Sequence, residues 1–444
     1  MATSSRVQKS TELYDRAGEL IPGWTQLISR RATGYAQGVS PVYATSAKGA
    51  RFTDVDGNEY LDWVVCFTAV VLGYADEVVD GAVKEQIDRG SLYSVNSPLE
   101  IEFAEELVDA IPSAEMVRYT KGGGDSCALA VRIARGGTGR DKILFSGYHG
   151  WHDWYQAANL LSEEGRGGAT VTGTKPIGVP RALEGTAIPF AEGDLERLKR
   201  LFEENKGEVA AVMMEPMRTE LPPEGYLEAV KELCQANDAI LIFDEVSCGW
   251  RPAVGGVQEY LGITPDMSVF AKAISNGYPM GAVVGSREVM EPAAEMFVSS
   301  SYWSDNVGLA AGLATVRELK RRNSAERFEE LGESLKAALS EAMESVGIAG
   351  RVAGHWTNPT IELDLPDKSL APKVSTLFIQ EMAKRGIYTP LSFHPTLAHT
   401  EEDIRITADA VEETLRVIMK GLEGDLDNLL EAKIKKDLIA RLVR

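Results

Sequence analysis

The chain has 444 residues, of which 44% are hydrophobic and 25% charged, and its formal net charge is −20. This balance is typical of a globular protein with a sizeable buried core. Because nucleic acid and anionic lipid are themselves negatively charged, an acidic chain repels both, and we expect neither as a partner.

No segment indicates a membrane location. The N-terminal stretch "MATSSRVQKSTELYDRAG" lacks the apolar core of a signal peptide. No apolar run approaches the roughly 20 residues that span a bilayer. We therefore expect a cytoplasmic protein.

Strand and helix patterns alternate through the middle of the chain. The segment Gly49–Val64 places Asp56-Gly57 between two alternating stretches, which predicts a β-hairpin. Further along, continuous apolar runs typical of buried strands alternate with amphipathic segments typical of helices. This alternation predicts an α/β fold with a mainly parallel central sheet flanked by helices. The predicted strands are Lys142–Gly147, Glu208–Pro216, Ala239–Val246 and Ser268–Ile274, and the predicted helices are Asp194–Lys206 and Tyr226–Asp238.

The ends of the chain differ from its middle. From about Arg317 onward long charged helices are predicted, such as Ser324–Val346. We predict three parts: an N-terminal segment, 1–54, that packs with a small domain; a large α/β domain, 55–316; and a smaller C-terminal α+β domain, 317–444.

Three consecutive glycines, Gly122, Gly123 and Gly124, precede a helical pattern. Free backbone N–H groups and the helix dipole favour an anion at such a loop-to-helix junction. Glycines let the backbone approach a phosphate closely. Taken alone, the triplet is either a phosphate loop or a tight structural turn. It is not a nucleotide P-loop, because no Gly-Lys-Ser/Thr follows.

Two further residues stand at the ends of predicted strands. Asp244 ends the run "AILIFD", where ligands of open α/β sheets bind. It either faces a cationic nitrogen of a ligand or meets solvent or a backbone amide. Lys272 follows the run "SVFA" and is either a nucleophilic amine of lowered pKa or a lysine that extends to water.

The three features together match the needs of pyridoxal 5'-phosphate (PLP). A lysine forms the Schiff base, an acid keeps the pyridine nitrogen protonated so that the ring accepts electrons, and a loop holds the phosphate. Lys272, Asp244 and the glycine triplet supply these parts.

The sequence resembles the class III (fold type I) PLP-dependent aminotransferases, nearest to the branch of glutamate-1-semialdehyde aminomutase. The resemblance extends from about Ile21 to Thr407. It depends on several motifs in order, which are "DVDGNEYLDWV", "VRIARGGTGRDKI", "GYHGWHD", "MMEPM", "FDEVSCGWR", "AKAISNGYPMGAVVG" and "HPTLAHTEEDI".

The resemblance implies roles for single residues. Lys272 is the Schiff-base lysine and Asp244 the partner of the pyridine nitrogen, while Val246 and Tyr148 pack on the two ring faces. Glu215 lies near the cofactor hydroxyl. Lys272, Asp244 and Tyr148 form the implied catalytic set. The implied cofactor-binding set is Gly122, Gly123, Gly124, Tyr148, His149, Glu215, Asp244, Val246, Lys272 and Ser301.

The chain departs from the family at the phosphate site. The usual Ser-Gly-Thr-Glu loop is Gly-Gly-Gly-Asp here, so Gly122 and Gly124 replace two hydroxyl residues. We expect greater reliance on backbone N–H groups and modestly weaker phosphate binding. Ser301 replaces a threonine that, in the family, reaches the phosphate of the partner subunit. This position implies a homodimer with shared active sites.

The substrate site is less defined. Arg30 aligns with the arginine that holds the substrate carboxylate in the aminomutase branch, and Arg30 or Arg31 is the expected anion anchor, against a solvated surface arginine. Trp151 is an expected substrate-binding residue. The segment "IPGWTQLISRRA" lacks the glycine- and proline-containing stretch of that branch, which favours a substrate other than glutamate 1-semialdehyde.

We expect no metal site. His149 and His152 could form a cluster with Asp153, yet no other histidine or cysteine is close in sequence. The four cysteines are far apart and form no CxxC pair, so neither a zinc site nor a disulfide framework is indicated.

The expected function is amino-group transfer by a ping-pong Schiff-base mechanism between a small amino compound and a 2-oxo acid. The alternatives are an ammonia-releasing PLP lyase acting on a hydroxylated or phosphonate-bearing amine, and an aminomutase or racemase, because fold does not fix reaction. A scaffold that has lost its cofactor is a third possibility, which Lys272 and Asp244 argue against.

Overall fold

The structure is a computed structural model of the chain, and it describes residues 5–166 and 175–436. These residues form two compact units. The terminal unit comprises the described residues of Met1–Asp76 and Glu326–Ile439, and the central unit those of Glu77–Ala325. None of the helices in the described ranges combines the length and apolar character that a membrane-spanning segment requires.

The strands in chain order are β1 (Ala44–Lys48), β2 (Arg51–Asp54), β3 (Glu59–Asp62), β4 (Met116–Thr120), β5 (Lys142–Ser146), β6 (Ala187–Pro189), β7 (Val209–Met214), β8 (Ile240–Asp244), β9 (Met267–Phe270), β10 (Gly281–Gly285), β11 (Gly350–Ala353), β12 (Thr360–Leu363) and β13 (Ile387–Tyr388).

The α-helices are α1 (Gln8–Leu20), α2 (Glu77–Arg89), α3 (Pro98–Ala110), α4 (Gly123–Thr138), α5 (Asp153–Gln156), α6 (Glu163–Arg166), α7 (Leu195–Glu204), α8 (Tyr226–Ala236), α9 (Val257–Leu261), α10 (Arg287–Met290), α11 (Asn306–Arg321), α12 (Ser324–Val346), α13 (Ala371–Lys384) and α14 (Glu401–Glu423).

The central unit is built on one sheet with the strand order β4-β10-β9-β8-β7-β5-β6. Neighbours from β9 to β6 run parallel, and β10 runs antiparallel to both β4 and β9. Strands β7, β8 and β9 are buried along their whole length, as their continuous apolar sequences predict for parallel strands covered on both faces. The carboxyl ends of β5, β7, β8 and β9 therefore meet at one edge of the sheet.

Alternation along β8 decides which helices its side chains meet. Leu241 and Phe243 pack in a core with Leu198 of α7 and Val230 of α8. Ile240 and Ile242 point to the opposite face, where they pack in a core with residues of α4, including Cys127, Ala130 and Ile133. Asp244 has the same parity as Ile242, so its side chain lies on the face that α4 covers.

The terminal unit contains the sheet β1-β2-β3-β13. Strands β2 and β3 form an antiparallel hairpin, and Gly57 takes the positive φ of +89° that its turn requires. Trp63 is buried in a core shared with α12, α13 and α14. Its ring stacks on His399 at a centroid distance of 3.8 Å, and its Nε1 donates to Thr407 Oγ1 at 2.8 Å.

The predicted fold class is confirmed, and so are the hairpin and the quoted strands and helices, with small shifts at their ends. Helix α12 coincides with the predicted helix Ser324–Val346. The strand predicted to run to Ile274 ends at Phe270, because Lys272 adopts a positive φ of +50° that no extended strand accommodates. The predicted domain limits at 54/55 and 316/317 stay predictions; the compact units divide at 76/77 and 325/326.

Candidate active site

The glycine triplet lies between β4 and α4. Gly122 is the residue before the helix, and the first helical hydrogen bond runs from Ser126 N to Gly122 O at 3.0 Å. The amides of Gly123, Gly124 and Asp125 precede that bond and are not used by the helix ladder. Three N–H groups at the positive end of the helix dipole thus form an anion-binding position.

The glycines also satisfy packing. A Cβ on Gly123 would lie 2.7 Å from Val246 Cγ1, and a Cβ on Gly124 would contact Trp151 and His152 at 3.4 and 3.5 Å. A Cβ on Gly150 would lie 2.6 Å from the Gly124 Cα. The triplet is therefore a close-packed junction and not a spacer. Gly122 differs, since the nearest atom to its Cβ position is Asp125 Oδ2 at 3.9 Å.

Asp244 is buried at the carboxyl end of β8, with 3% of its surface exposed. Its Oδ1 accepts a hydrogen bond from Val246 N at 2.9 Å. Its Oδ2 lies 2.7 Å from His149 Nδ1 and accepts from the Cys127 thiol at 3.3 Å. A buried carboxylate without such donors would be costly, so the loop after β5 and helix α4 both support this charge.

His149 is fully buried between two acceptors. Its Nε2 lies 3.1 Å from the carbonyl oxygen of Ser146, and its Nδ1 lies 2.7 Å from Asp244 Oδ2. The ring thus bridges the end of β5 and the carboxylate at the end of β8. His152 bonds a different carboxylate, that of Asp125, at 3.1 Å.

Lys272 begins a short 3₁₀ segment, Lys272–Ser275, just after β9. Its left-handed φ of +50° is uncommon for a residue with a side chain and is of the kind found at functional sites. Its Nζ donates to Ser247 Oγ at 2.6 Å. Burial lowers the pKa of the Lys272 ammonium, while the charges of Glu215 and Asp244 oppose that shift. The amine is thus more readily deprotonated than a surface lysine.

Glu215 follows β7 and is held by an arginine. The Arg218 Nε lies 2.8 Å from Glu215 Oε2, and the same oxygen accepts from Tyr148 N at 3.4 Å. Burial raises the pKa of Glu215, and Arg218 counteracts that rise. The Tyr148 side chain is 46% exposed and stands edge-on to Tyr155.

The central unit brings most of the predicted residues to the carboxyl edge of its sheet. Gly122–Gly124, Tyr148, His149, Trp151, Glu215, Asp244, Val246 and Lys272 occupy the segments after β4, β5, β7, β8 and β9. Ser301 lies in a separate exposed 3₁₀ segment, Ser301–Ser304. Arg30 belongs to the terminal unit, where its Nη2 contacts Cys66 Sγ at 3.0 Å and it lines a cavity of about 510 Å³ with Asp62 and Tyr74.

Sequence reasoning missed three partners. The sequence patterns assign no site role to Cys127 or Ser247, and they do not connect Arg218 with Glu215. The i, i+3 spacing of Glu215 and Arg218 was a usable signal. The contacts of Cys127 and Ser247 join distant segments, for which the sequence offers no signal.

The sequence model of the family "Aminotransferase class-III" matches residues 34–420. The chain belongs to the class III aminotransferases. The 3-aminobutyryl-CoA aminotransferase of Cloacimonas acidaminovorans is 32% identical over 95% of this chain and 100% of that protein. The glutamate-1-semialdehyde 2,1-aminomutase of Methanosarcina acetivorans is 32% identical over 94% of this chain and 100% of that protein.

A solved structure supports the same family assignment. The omega-transaminase from Sphaerobacter thermophilus has a TM-score of 0.81 and 29% identity to this aminotransferase, covering 94% of this chain and 98% of that one. The family is PLP-dependent, and the residues present fit that cofactor. Free helix-terminal amides suit a phosphate, a buried carboxylate suits a protonated ring nitrogen, and a buried amine suits an aldehyde.

The prediction of no metal at His149, His152 and Asp153 stays a prediction. The two histidines face different carboxylates. The atoms Cys127 Sγ, His149 Nδ1 and Asp244 Oδ2 lie within 4.8 Å of one another, and hydrogen bonds connect the thiol and the imidazole to the carboxylate.

A matched pair of alanine variants tests whether the close packing at Gly123 is needed for PLP binding. Gly123→Ala forces Val246 to move, and we expect the dissociation constant for PLP to rise about tenfold, as for a loss of ~1.4 kcal/mol. Gly122→Ala has room for its methyl group, and its extended φ of −168° suits any residue, so its constant should stay within about twofold of the parent. Equilibrium titration of the apoprotein with PLP checks both. Equal affinities for the two variants would contradict the packing argument.

Proposed function

We propose that this class III aminotransferase moves the amino group of a small amine or amino acid to a 2-oxo acid, with the two substrates reacting in turn. One observation supports this most directly. A part-buried amine, Lys272, lies just beyond β9, and a buried carboxylate, Asp244, ends the neighbouring parallel strand β8, beside the unused amides of α4. When bound, PLP supplies a reactive aldehyde and a protonated ring that withdraws electrons from the substrate.

Lys272 has two tasks in this proposal. Its Nζ would hold the cofactor at its aldehyde group. As a free amine, the same nitrogen would take the proton from the substrate Cα and would return a proton at the reacting centre. Burial lowers the pKa of the Lys272 ammonium, which increases the fraction of neutral amine available as a general base at neutral pH.

The other residues bind and orient. Asp244, positioned by His149, would face the pyridine nitrogen and keep a proton on it. The amides of Gly123 and Gly124 would bind the phosphate, and Val246 and Tyr148 would pack on the ring faces. Glu215 would lie beside the ring hydroxyl, and we propose Trp151 and Arg30 as substrate-binding residues.

An aminomutase is the second candidate, because relatives at 32% identity are named glutamate-1-semialdehyde 2,1-aminomutase. In that reaction the amino group would move between two carbons of one substrate, with Lys272 carrying the protons, and no separate 2-oxo acid would be needed. A lyase would use the same lysine and release ammonia. The three reactions differ in co-substrate and product, so turnover experiments separate them.

Lys272→Ala tests the covalent role. We expect the purified variant to lose the near-visible absorbance of the attached cofactor and to lose turnover by at least about 10³-fold, as expected when a general base is removed. Lys142→Ala is the matched control, because Lys142 begins β5 at the opposite edge of the sheet and pairs with Glu208; it should retain both properties. Unchanged absorbance and turnover in Lys272→Ala would disprove the assignment.

An amine panel tests the reaction type. Amines, α- and β-amino acids and a β-amino acyl-CoA are supplied with and without pyruvate or 2-oxoglutarate, and oxo product, isomerised product and ammonia are measured. We expect oxo product only when the 2-oxo acid is present. An isomerised amine formed alone would indicate the aminomutase, and ammonia the lyase.

Arg30→Gln tests the proposed anion anchor. The variant should raise KM for carboxylate-bearing substrates about tenfold and leave KM for simple amines unchanged. An equal effect on both would remove Arg30 from the substrate site.

We also propose a homodimer with shared sites. Two large apolar side chains of the central unit are exposed near Ser301 in sequence, Phe297 at 87% and Tyr302 at 68%. Exposed apolar groups of this size are typical of protein–protein interfaces. Ser301 would then contact the phosphate held by the partner subunit.

Subunit mixing tests the shared site. Ser301→Glu places a negative charge at the proposed phosphate contact, and Lys272→Ala removes the reactive amine, so each variant alone should be inactive. A mixed dimer would contain one site with both Lys272 and Ser301 intact, and we expect activity to return after the two variants are unfolded and refolded together. Dimers that form, as judged by sedimentation, without any return of activity would contradict sharing.

A further inference from the structure

A buried thiol, that of Cys127, lies in the first turns of α4. Cys127 is 1% exposed and places its Sγ 3.3 Å from Asp244 Oδ2. The same oxygen lies 2.7 Å from His149 Nδ1. Nothing in the proposed mechanism uses this thiol, yet it touches the carboxylate that we assign to the pyridine nitrogen.

The fold itself directs this contact. Asp244 lies on the face of β8 that α4 covers, with Ile240 and Ile242. Helix α4 starts at Gly123, so Cys127 is one turn into the helix and faces that side of the sheet with Ala130 and Ala134. The helix whose first amides form the anion position therefore also presents a side-chain donor to the strand-end acid.

The thiol is the donor in this pair. Burial raises the pKa of the Cys127 thiol well above its usual value, and the negative charge of Asp244 raises it further. The group therefore keeps its hydrogen throughout the neutral range. A carboxylate oxygen only accepts, so the S–H bond points at Oδ2. A thiol is a weak donor, but hydrogen bonds to an ionised acceptor are stronger than neutral ones.

We propose that Cys127 is a positioning residue that, together with His149, fixes the orientation of the Asp244 carboxylate toward the cofactor ring nitrogen. This inference rests on the proposed role of Asp244. Val246 N fixes Oδ1 at 2.9 Å, while Cys127 and His149 fix Oδ2. Removing one of these donors leaves the plane of the carboxylate less constrained and its charge less compensated.

The experiment compares PLP with a PLP analogue in which the ring nitrogen is replaced by carbon. Both have the aldehyde and the phosphate, and only PLP has the nitrogen that Asp244 faces. Dissociation constants are measured with purified full-length protein by removing the cofactor and titrating it back. Cys127→Ala should weaken PLP binding about 3- to 10-fold, the range of one hydrogen bond, and leave the analogue within about twofold.

Conservative variants separate the donor from packing. Cys127→Ser keeps a donor at the same place and should bind PLP within about twofold of the parent. If Cys127→Ala does not fold, Cys127→Val and Cys127→Thr repeat the comparison with equal shapes, and only the valine variant should weaken PLP. Cys234→Ala removes another buried thiol, which lies on α8 in a different core, and should leave PLP binding unchanged.

Three outcomes would overturn the proposal. They are equal weakening of PLP and the analogue in Cys127→Ala, a serine or threonine variant as weak as its alanine or valine counterpart, and no change of PLP affinity in any variant. Failure of the parent protein to bind PLP would instead reject the proposed function, so the two failures are distinguishable.

Discussion

A carboxylate buried at the end of a parallel strand is the constraint on which the central unit depends. Asp244 is almost fully enclosed, and its charge is compatible with that position only because donors reach it from three directions. His149 comes from the loop after β5, Cys127 from α4, and Val246 N from the turn that follows β8. Asp244 thus connects the ends of two strands, β5 and β8, with helix α4.

Lys272 is placed relative to that charge by strand register. Asp244 pairs with Val269 in the parallel ladder between β8 and β9, and Lys272 follows three residues later, where the chain leaves the strand in a left-handed conformation. The turn directs the amine to Ser247, which lies in the segment after β8. Strain of this kind persists only where the surrounding structure determines it. Here the bond to Ser247 and the burial of Ala273 and Ile274 supply that support.

The glycine triplet serves two purposes, anion binding and close packing, which the sequence alone does not distinguish. The helix terminus leaves amides available for an anion, and the close contact of Gly123 with Val246 leaves no space for a side chain. Gly124 in turn packs against Gly150, whose φ of +96° favours glycine. The same backbone packing brings Trp151 next to the loop.

The sequence by itself determined the α/β architecture, because continuous apolar strands and amphipathic helices are local patterns that tertiary contacts did not override. Ordered motifs likewise determined the family and singled out Lys272, Asp244 and the triplet. Only the tertiary structure decided which groups touch them. The bond of Cys127 to Asp244 joins residues 117 positions apart, and that of Lys272 to Ser247 joins residues 25 apart. Such contacts depend on the strand register, on the rotation of α4 about its axis and on the unusual φ of Lys272. A local pattern of residues predicts none of these three.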